Sequence, residues 1–121
     1  PILFQNCNFG VAKRQAVLDI FADLPKYQPA LPGAHQRLDI QNNTFKDNAG
    51  AAIHIGSASD VQVIGNQISH TSDNAIVITS SRNVNIKENT FTPAPRKLEI
   101  RGATDRQTIR VENNVGLEQS K

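Results

Sequence analysis

An aspartate that accepts a hydrogen bond from one imidazole nitrogen orients the ring and leaves its other nitrogen to exchange a proton near neutral pH. Asp19 and His54 would form such a pair in this 121-residue chain if the fold brought them together. Each sits at the centre of an apolar-x-apolar triplet, Leu18-Asp19-Ile20 and Ile53-His54-Ile55. Val77 and Glu99 hold the same place in Ile76-Val77-Ile78 and Leu98-Glu99-Ile100. If the triplets are neighbouring strands with their apolar residues inward, Asp19, His54, Val77 and Glu99 form one outward column with a step of about 4.8 Å. Asp19 and His54 would then touch, while Asp19 and Glu99 would lie three steps apart, beyond the roughly 5 to 9.5 Å that separates paired glycosidase carboxylates. Ordinary solvent-facing polar alternation accounts for the same column without chemistry, and Val77 interrupts it.

A second group falls in the segment Phe21 to Arg37, which contains Pro25, Pro29 and Pro32 and reads as an ordered excursion rather than a helix. Tyr27, the single tyrosine, offers a stacking face, with Asp23, Lys26, His35 and Arg37 as hydrogen-bonding groups. The alternative is a loop that only packs against the side of the domain. No metal spacing is present: His35, His54 and His70 are dispersed and Cys7 stands apart from them. Asp47, His70 and Asp73 would gather at turns, where acidic residues serve backbone conformation as well as calcium. No cofactor is therefore expected, and calcium has no motif to support it.

The elements that must position these groups come from a repeat. Leu38-Asp39-Ile40-Gln41-Asn42-Asn43-Thr44-Phe45, Val61-Gln62-Val63-Ile64-Gly65-Asn66-Gln67-Ile68 and Val84-Asn85-Ile86-Lys87-Glu88-Asn89-Thr90-Phe91 align with a 23-residue spacing. Weaker copies flank them at Ile2-Leu3-Phe4-Gln5-Asn6-Cys7-Asn8-Phe9 and Ile109-Arg110-Val111-Glu112-Asn113-Asn114. Period-two alternation makes strands, and turn-formers such as Gly56-Ser57-Ala58-Ser59-Asp60 leave no room for helices between them. Units of two or three short strands cannot bury their apolar face alone and must stack on one another. The expected fold class is all-β, a single-stranded parallel β-helix of about five coils over residues 1–116, with a loop insertion at 21–37 and a polar tail at 117–121.

The pattern apolar-x-apolar, turn, apolar-x-apolar-x-x-Asn-x-apolar resembles the right-handed parallel β-helix of the pectate-lyase-like superfamily. That resemblance implies an amide ladder in which an Asn at each tight bend takes a left-handed conformation. Asn43, Asn66, Asn89 and Asn114 fit the position, and Cys7 replaces the amide in the first coil as a small packing residue. It also implies an interior column of Phe9, Phe45, Ile68 and Phe91. In β-helical polysaccharide enzymes, loops such as 21–37 wall the substrate groove, so Tyr27, His35 and Arg37 become expected sugar contacts. Asn-Thr-Asp, adjacent Asp pairs, Gly-His-Gly and Arg-Ile-Lys are missing, which speaks against pectin hydrolysis. A lyase would want a basic residue beside groups that neutralise a uronate, and Lys97, Glu99 and Arg101 offer a thin version of that set. β-Helical α-galactosidases are similar in texture, with Asn-Asn-Thr-Phe-like units.

Thirteen Lys and Arg against eleven Asp and Glu give a net charge of only +2, too weak for the dense phosphate contacts of a nucleic-acid binder. No apolar run approaches the roughly 18 residues of a membrane span, and no signal peptide is visible. The abrupt start at Pro1-Ile2-Leu3-Phe4 reads as a fragment or processed chain, with any targeting signal upstream. The expected function is therefore the C-terminal coils of a secreted, periplasmic or cell-surface glycoside hydrolase or polysaccharide lyase. Its partners would be carbohydrate and further coils, from the same protein or another copy. The alternative is a non-catalytic structural, glycan-binding or adhesive repeat.

Overall fold

The computed structural model describes residues 2–9, 18–20, 23–24, 28–29, 35–46, 51–69, 74–92, 94–102 and 104–118; side chains are described within 3–7, 37–46 and the four stretches from residue 51 onward. The chain opens with β1 (Ile2–Gln5), β2 (Asn8–Phe9) and β3 (Leu18–Ile20). β4 (Asp23–Leu24) and β5 (Gln28–Pro29) then pair antiparallel. Three full coils follow: β6 (His35–Gln41), β7 (Thr44–Lys46) and β8 (Ile53–Gly56); β9 (Ala58–Ile64), β10 (Gln67–Ser69) and β11 (Asn74–Thr79); β12 (Arg82–Lys87), β13 (Thr90–Thr92) and β14 (Arg96–Arg101). A 3-10 turn, Arg106–Thr108, leads to β15 (Ile109–Glu112) and β16 (Leu117–Glu118).

Strands from successive coils pair in parallel into three sheets. Sheet A runs β1-β6-β9-β12-β15, sheet B β2-β7-β10-β13, and sheet C β3-β8-β11-β14-β16. Among the described residues there are thus three full turns between partial ones, rather than about five coils. The expected loop 21–37 also closes earlier than its sequence suggests. His35 and Gln36 already belong to β6, in register with Ala58 and Ser59, and the excursion contains the β4–β5 pair. Leu117–Glu118, expected in the tail, pairs with Arg96–Lys97.

Alternating apolar residues of the three sheets fill the interior. Leu38 and Ile40, Val61 and Val63, and Val84 and Ile86 come from sheet A; Ile53 and Ile55, and Ile76 and Ile78, come from sheet C. Sheet B supplies Phe45, Ile68 and Phe91, stacked in register; the backbone of Phe9 pairs in register with Phe45, and its side chain lies outside the described residues. Burying each of these large side chains contributes about 1.5 to 3 kcal/mol, and stacking in a column keeps like shapes against like.

The bend between sheets A and B carries the amide ladder. Each Asn Oδ1 accepts from the backbone N–H of the ladder position one coil earlier: Cys7 to Asn43 at 2.8 Å, Asn43 to Asn66 and Asn66 to Asn89 at 2.9 Å, and Asn89 to Asn114 at 3.0 Å. Each Nδ2 donates to a carbonyl of the earlier coil's sheet A strand, on Phe4, Ile40, Val63 and Ile86 in turn. The Cys7 thiol lies 3.4 Å from Gln5 O and cannot perform both tasks of the amide.

One expectation about the ladder is corrected. The left-handed residues are not the ladder asparagines but those just before them: Asn6 (φ 57°), Asn42 (55°), Gly65 (68°), Glu88 (57°) and Asn113 (55°). The chain bends there from sheet A to sheet B, and the residue that follows places its side-chain amide in the ladder.

Candidate functional site

Parallel register sets the outer face of sheet C. Asp19 aligns with His54, His54 with Val77, and Val77 with Glu99, while Gly56, Thr79 and Arg101 form the next row. The backbone placement of Asp19 beside His54 is therefore the one expected, although the Asp19 side chain lies outside the described residues. His54 Nε2 lies 3.2 Å from Thr79 Oγ1, a contact one coil onward and two residues along the strand. Val77 and Thr79 are buried, at 7% and 8% exposure, so this part of the outer face is not open to solvent.

The open part of the face is at β14. Asn74 Nδ2 donates to Glu99 Oε2 at 3.0 Å, and Arg101 donates to the same oxygen at 2.7 Å. Two donors converging on one oxygen fix the carboxylate more firmly than an exposed ion pair alone. The hydrogen bond to Glu99 raises the Arg101 pKa above its ordinary value, against an opposing effect of desolvation. Asn74, Glu99, Lys97, Arg106 and Glu118 border a cleft of about 340 Å³. The cleft runs along β14 where pairing with β16 covers only Arg96 and Lys97, and Arg106 donates to Ile100 O at 3.3 Å beyond that point.

Of the other expected contacts, Tyr27 lies outside the described residues, as do the side chain of His35 and the turn residues Asp47, His70 and Asp73. Arg37 is exposed on sheet A, with φ 58°, and is not among the residues lining the β14 cleft. Glu99 and Arg101 do pair, and Lys97 lines the same cleft as Glu99; Arg106 joins them there, as does Asn74, which sequence reasoning did not single out. No group of three or more His, Cys, Asp and Glu arranged to hold a metal occurs among the described residues. None of their helices is long and apolar enough to cross a membrane.

A second ladder, also missed, lies at the bend from sheet C to sheet A. Ala58 N–H donates to Ser81 Oγ and Ser81 N–H to Thr104 Oγ1, both at 3.1 Å, while the two hydroxyls donate back to Thr79 O and Arg101 O. Just before it, Ser57, Ser80 and Gly102 stack with positive φ. The 23-residue step from Ala58 to Ser81 and from Ser81 to Thr104 was the available signal.

Parallel sheets wound coil upon coil, stitched by side-chain ladders at two bends, define a β-solenoid. Residues 30–116 match the family described as the right handed beta helix region, most of the chain, and the protein belongs to that family. The match is consistent with the pectate-lyase-like superfamily. Neither the curated proteins nor the solved structures contain a match to the chain.

Proposed function

We propose that these coils form the C-terminal part of an extracytoplasmic glycoside hydrolase or polysaccharide lyase and supply a glycan-binding surface at β14. The observation that carries the proposal is the Glu99 carboxylate held by Asn74 and Arg101 at the border of an open cleft with Lys97 and Arg106. Fixed planar acceptors and donors of both signs suit sugar hydroxyls, and the basic groups suit the carboxylate of an acidic sugar. Right-handed β-helix proteins are often carbohydrate-active, which supports the same class of ligand.

The catalytic acid and base are placed wholly or partly on other coils. Asp19 and Glu99 stand three strand steps apart, about 14 Å at the usual spacing, too far to act as a hydrolytic pair. The proposal invokes no cofactor. Its test is turnover of a glycan panel by the whole protein carrying Asp19→Ala, His54→Ala, Tyr27→Ala or Glu99→Gln. Loss of turnover or a raised KM with Glu99→Gln is expected; unchanged kinetics in all four variants would remove this segment from the active site.

The buried Val77 between His54 and Glu99 favours a second reading, a non-catalytic glycan-binding or adhesive repeat, because it breaks the polar column a long cleft would need. Glycan binding by the whole protein without turnover of any bound glycan would select it.

A further inference from the structure

Sheet A carries an outward surface of different character. At Arg37, Asp60 and Asn83 the backbone takes positive φ, 58°, 59° and 53°, and the strand register passes over all three. A left-handed residue at the same register position in three successive coils stacks these residues beside the ordinary outward column of Asp39, Gln62, Asn85 and Arg110, with the strand register unchanged on either side. Asn83 Nδ2 donates to Asp60 Oδ1 at 3.1 Å, and Asn85 Nδ2 donates to Gln62 Oε1 at 3.3 Å. Thr108 Oγ1 accepts from Asn83 N–H at 3.0 Å. Asp60, Gln62, Asn83, Asn85, Thr108 and Arg110 together line a shallow cleft of about 290 Å³.

The chemistry of the lining narrows the ligand. Every lining side chain is polar and none is aromatic or aliphatic, so an acyl chain finds no surface there. One carboxylate, Asp60, stands against one guanidinium, Arg110, which gives no attraction for a polyanion. The cleft floor consists of side chains on β9 and β12, whose backbones are paired on both sides; the free edge of sheet A is on β15, beyond Arg110, so a peptide adding as a strand would lie outside the cleft rather than over its floor. What remains is a set of planar amide, carboxylate and guanidinium groups, each able to engage two neighbouring hydroxyls, on rungs about 4.8 Å apart. The volume is near the lower end of small-ligand sites, which begin at about 300 Å³.

We propose that the outer face of sheet A is a second saccharide-binding site, selective for a neutral, hydroxyl-rich sugar unit held by Gln62, Asn85 and Arg110. It lies on a different sheet from Glu99 and does not depend on the function proposed for that cleft. Binding there is weak, because the cleft is open and lacks a stacking ring, and Kd values in the millimolar range are expected.

The test is an amide-resolved NMR titration of the full chain with cellotriose and mannotriose, and separately with trigalacturonate, each to about 50 mM to reach millimolar affinities. Neutral trisaccharide should shift the backbone and side-chain amides of Gln62, Asn83 and Asn85. Gln62→Val with Asn85→Val deletes the polar groups while keeping strand-forming side chains, and Arg110→Ala removes the cation from exposed β15. Either variant should weaken neutral-sugar binding about tenfold or more, the scale expected when a site built for hydroxyls loses its partners, while amide shifts elsewhere keep their native positions. Glu99→Gln should leave this binding unchanged. Absence of sheet A shifts with both neutral probes, or equal shifts in the variants, would overturn the proposal. So would a preference for trigalacturonate on this face.

Discussion

Asn66 is joined to Asn89 twice: its backbone N–H and its side-chain Nδ2 both donate to Asn89 Oδ1, each at 2.9 Å. Asn89 in turn donates to Val63 O at 2.9 Å and is fully buried. Removing its side chain strands two donors and one acceptor away from water. Asn89→Ala is therefore expected to cost about 3 kcal/mol or more, measured by urea unfolding of the full chain. Asn89→Asp keeps the acceptor but loses the donor to Val63 O, and should cost a comparable amount.

Glu88 should behave in the opposite way. It is exposed, has φ 57°, and occupies the position filled by Asn42, Gly65 and Asn113 in other coils. Glutamate gains little there, whereas asparagine tolerates the left-handed region. Glu88→Asn is expected to stabilise by about 0.5 to 1 kcal/mol, read as a higher urea midpoint with an unchanged slope.

Ser81 has no exposed surface and bridges Ala58 N–H to Thr79 O. Ser81→Ala should cost about 1 to 3 kcal/mol by leaving those groups unpaired. Ser81→Thr offers the same hydroxyl and is the informative control, because Thr104 already fills the next rung. Recovery of part of the loss in that variant, in the same urea assay, identifies the hydroxyl as the stabilising group.

Glu99 and Arg101 are partly exposed, with side-chain exposures of 32% and 56%. Screened pairs of this kind contribute about 1 kcal/mol or less, so Glu99→Gln and Arg101→Ala should melt close to the parent chain. A large loss of binding to acidic oligosaccharide in either variant, at unchanged thermal midpoint, would then report on ligand recognition rather than folding.

The coil architecture was legible because one spacing recurs in residues that must stack. Asn43, Asn66 and Asn89 lie 23 apart, and the same step separates the residues their hydrogen bonds connect. The conformation at the bend was not legible: Asn42 and Asn43 are identical in type, and only backbone geometry shows that the first turns the chain while the second enters the ladder. The Asp19–His54 adjacency followed from strand pleating, but the contact of His54 with Thr79 required knowing which way the imidazole leans. The Glu99 cluster was partly visible as Lys97, Glu99 and Arg101. Asn74 joins it from 25 residues away, and the register irregularity between Asn74 and Ile76 obscures that alignment in the sequence. The column of Arg37, Asp60 and Asn83 has the coil period too, yet those three residue types do not together mark a left-handed position inside a strand.

The direction of the asparagine ladder also lets chain length change by a whole coil. Each amide completes the coil before its own, so the coils overlap like roof tiles laid in one direction. Excising one period between equivalent positions, such as residues 44–66, would bring Asn89 into the role Asn66 now plays for Asn43 and leave the overlap intact. Losing a single residue within one strand would instead turn over the faces of that strand, a fault confined to its own coil, since the later amides keep their spacing to one another.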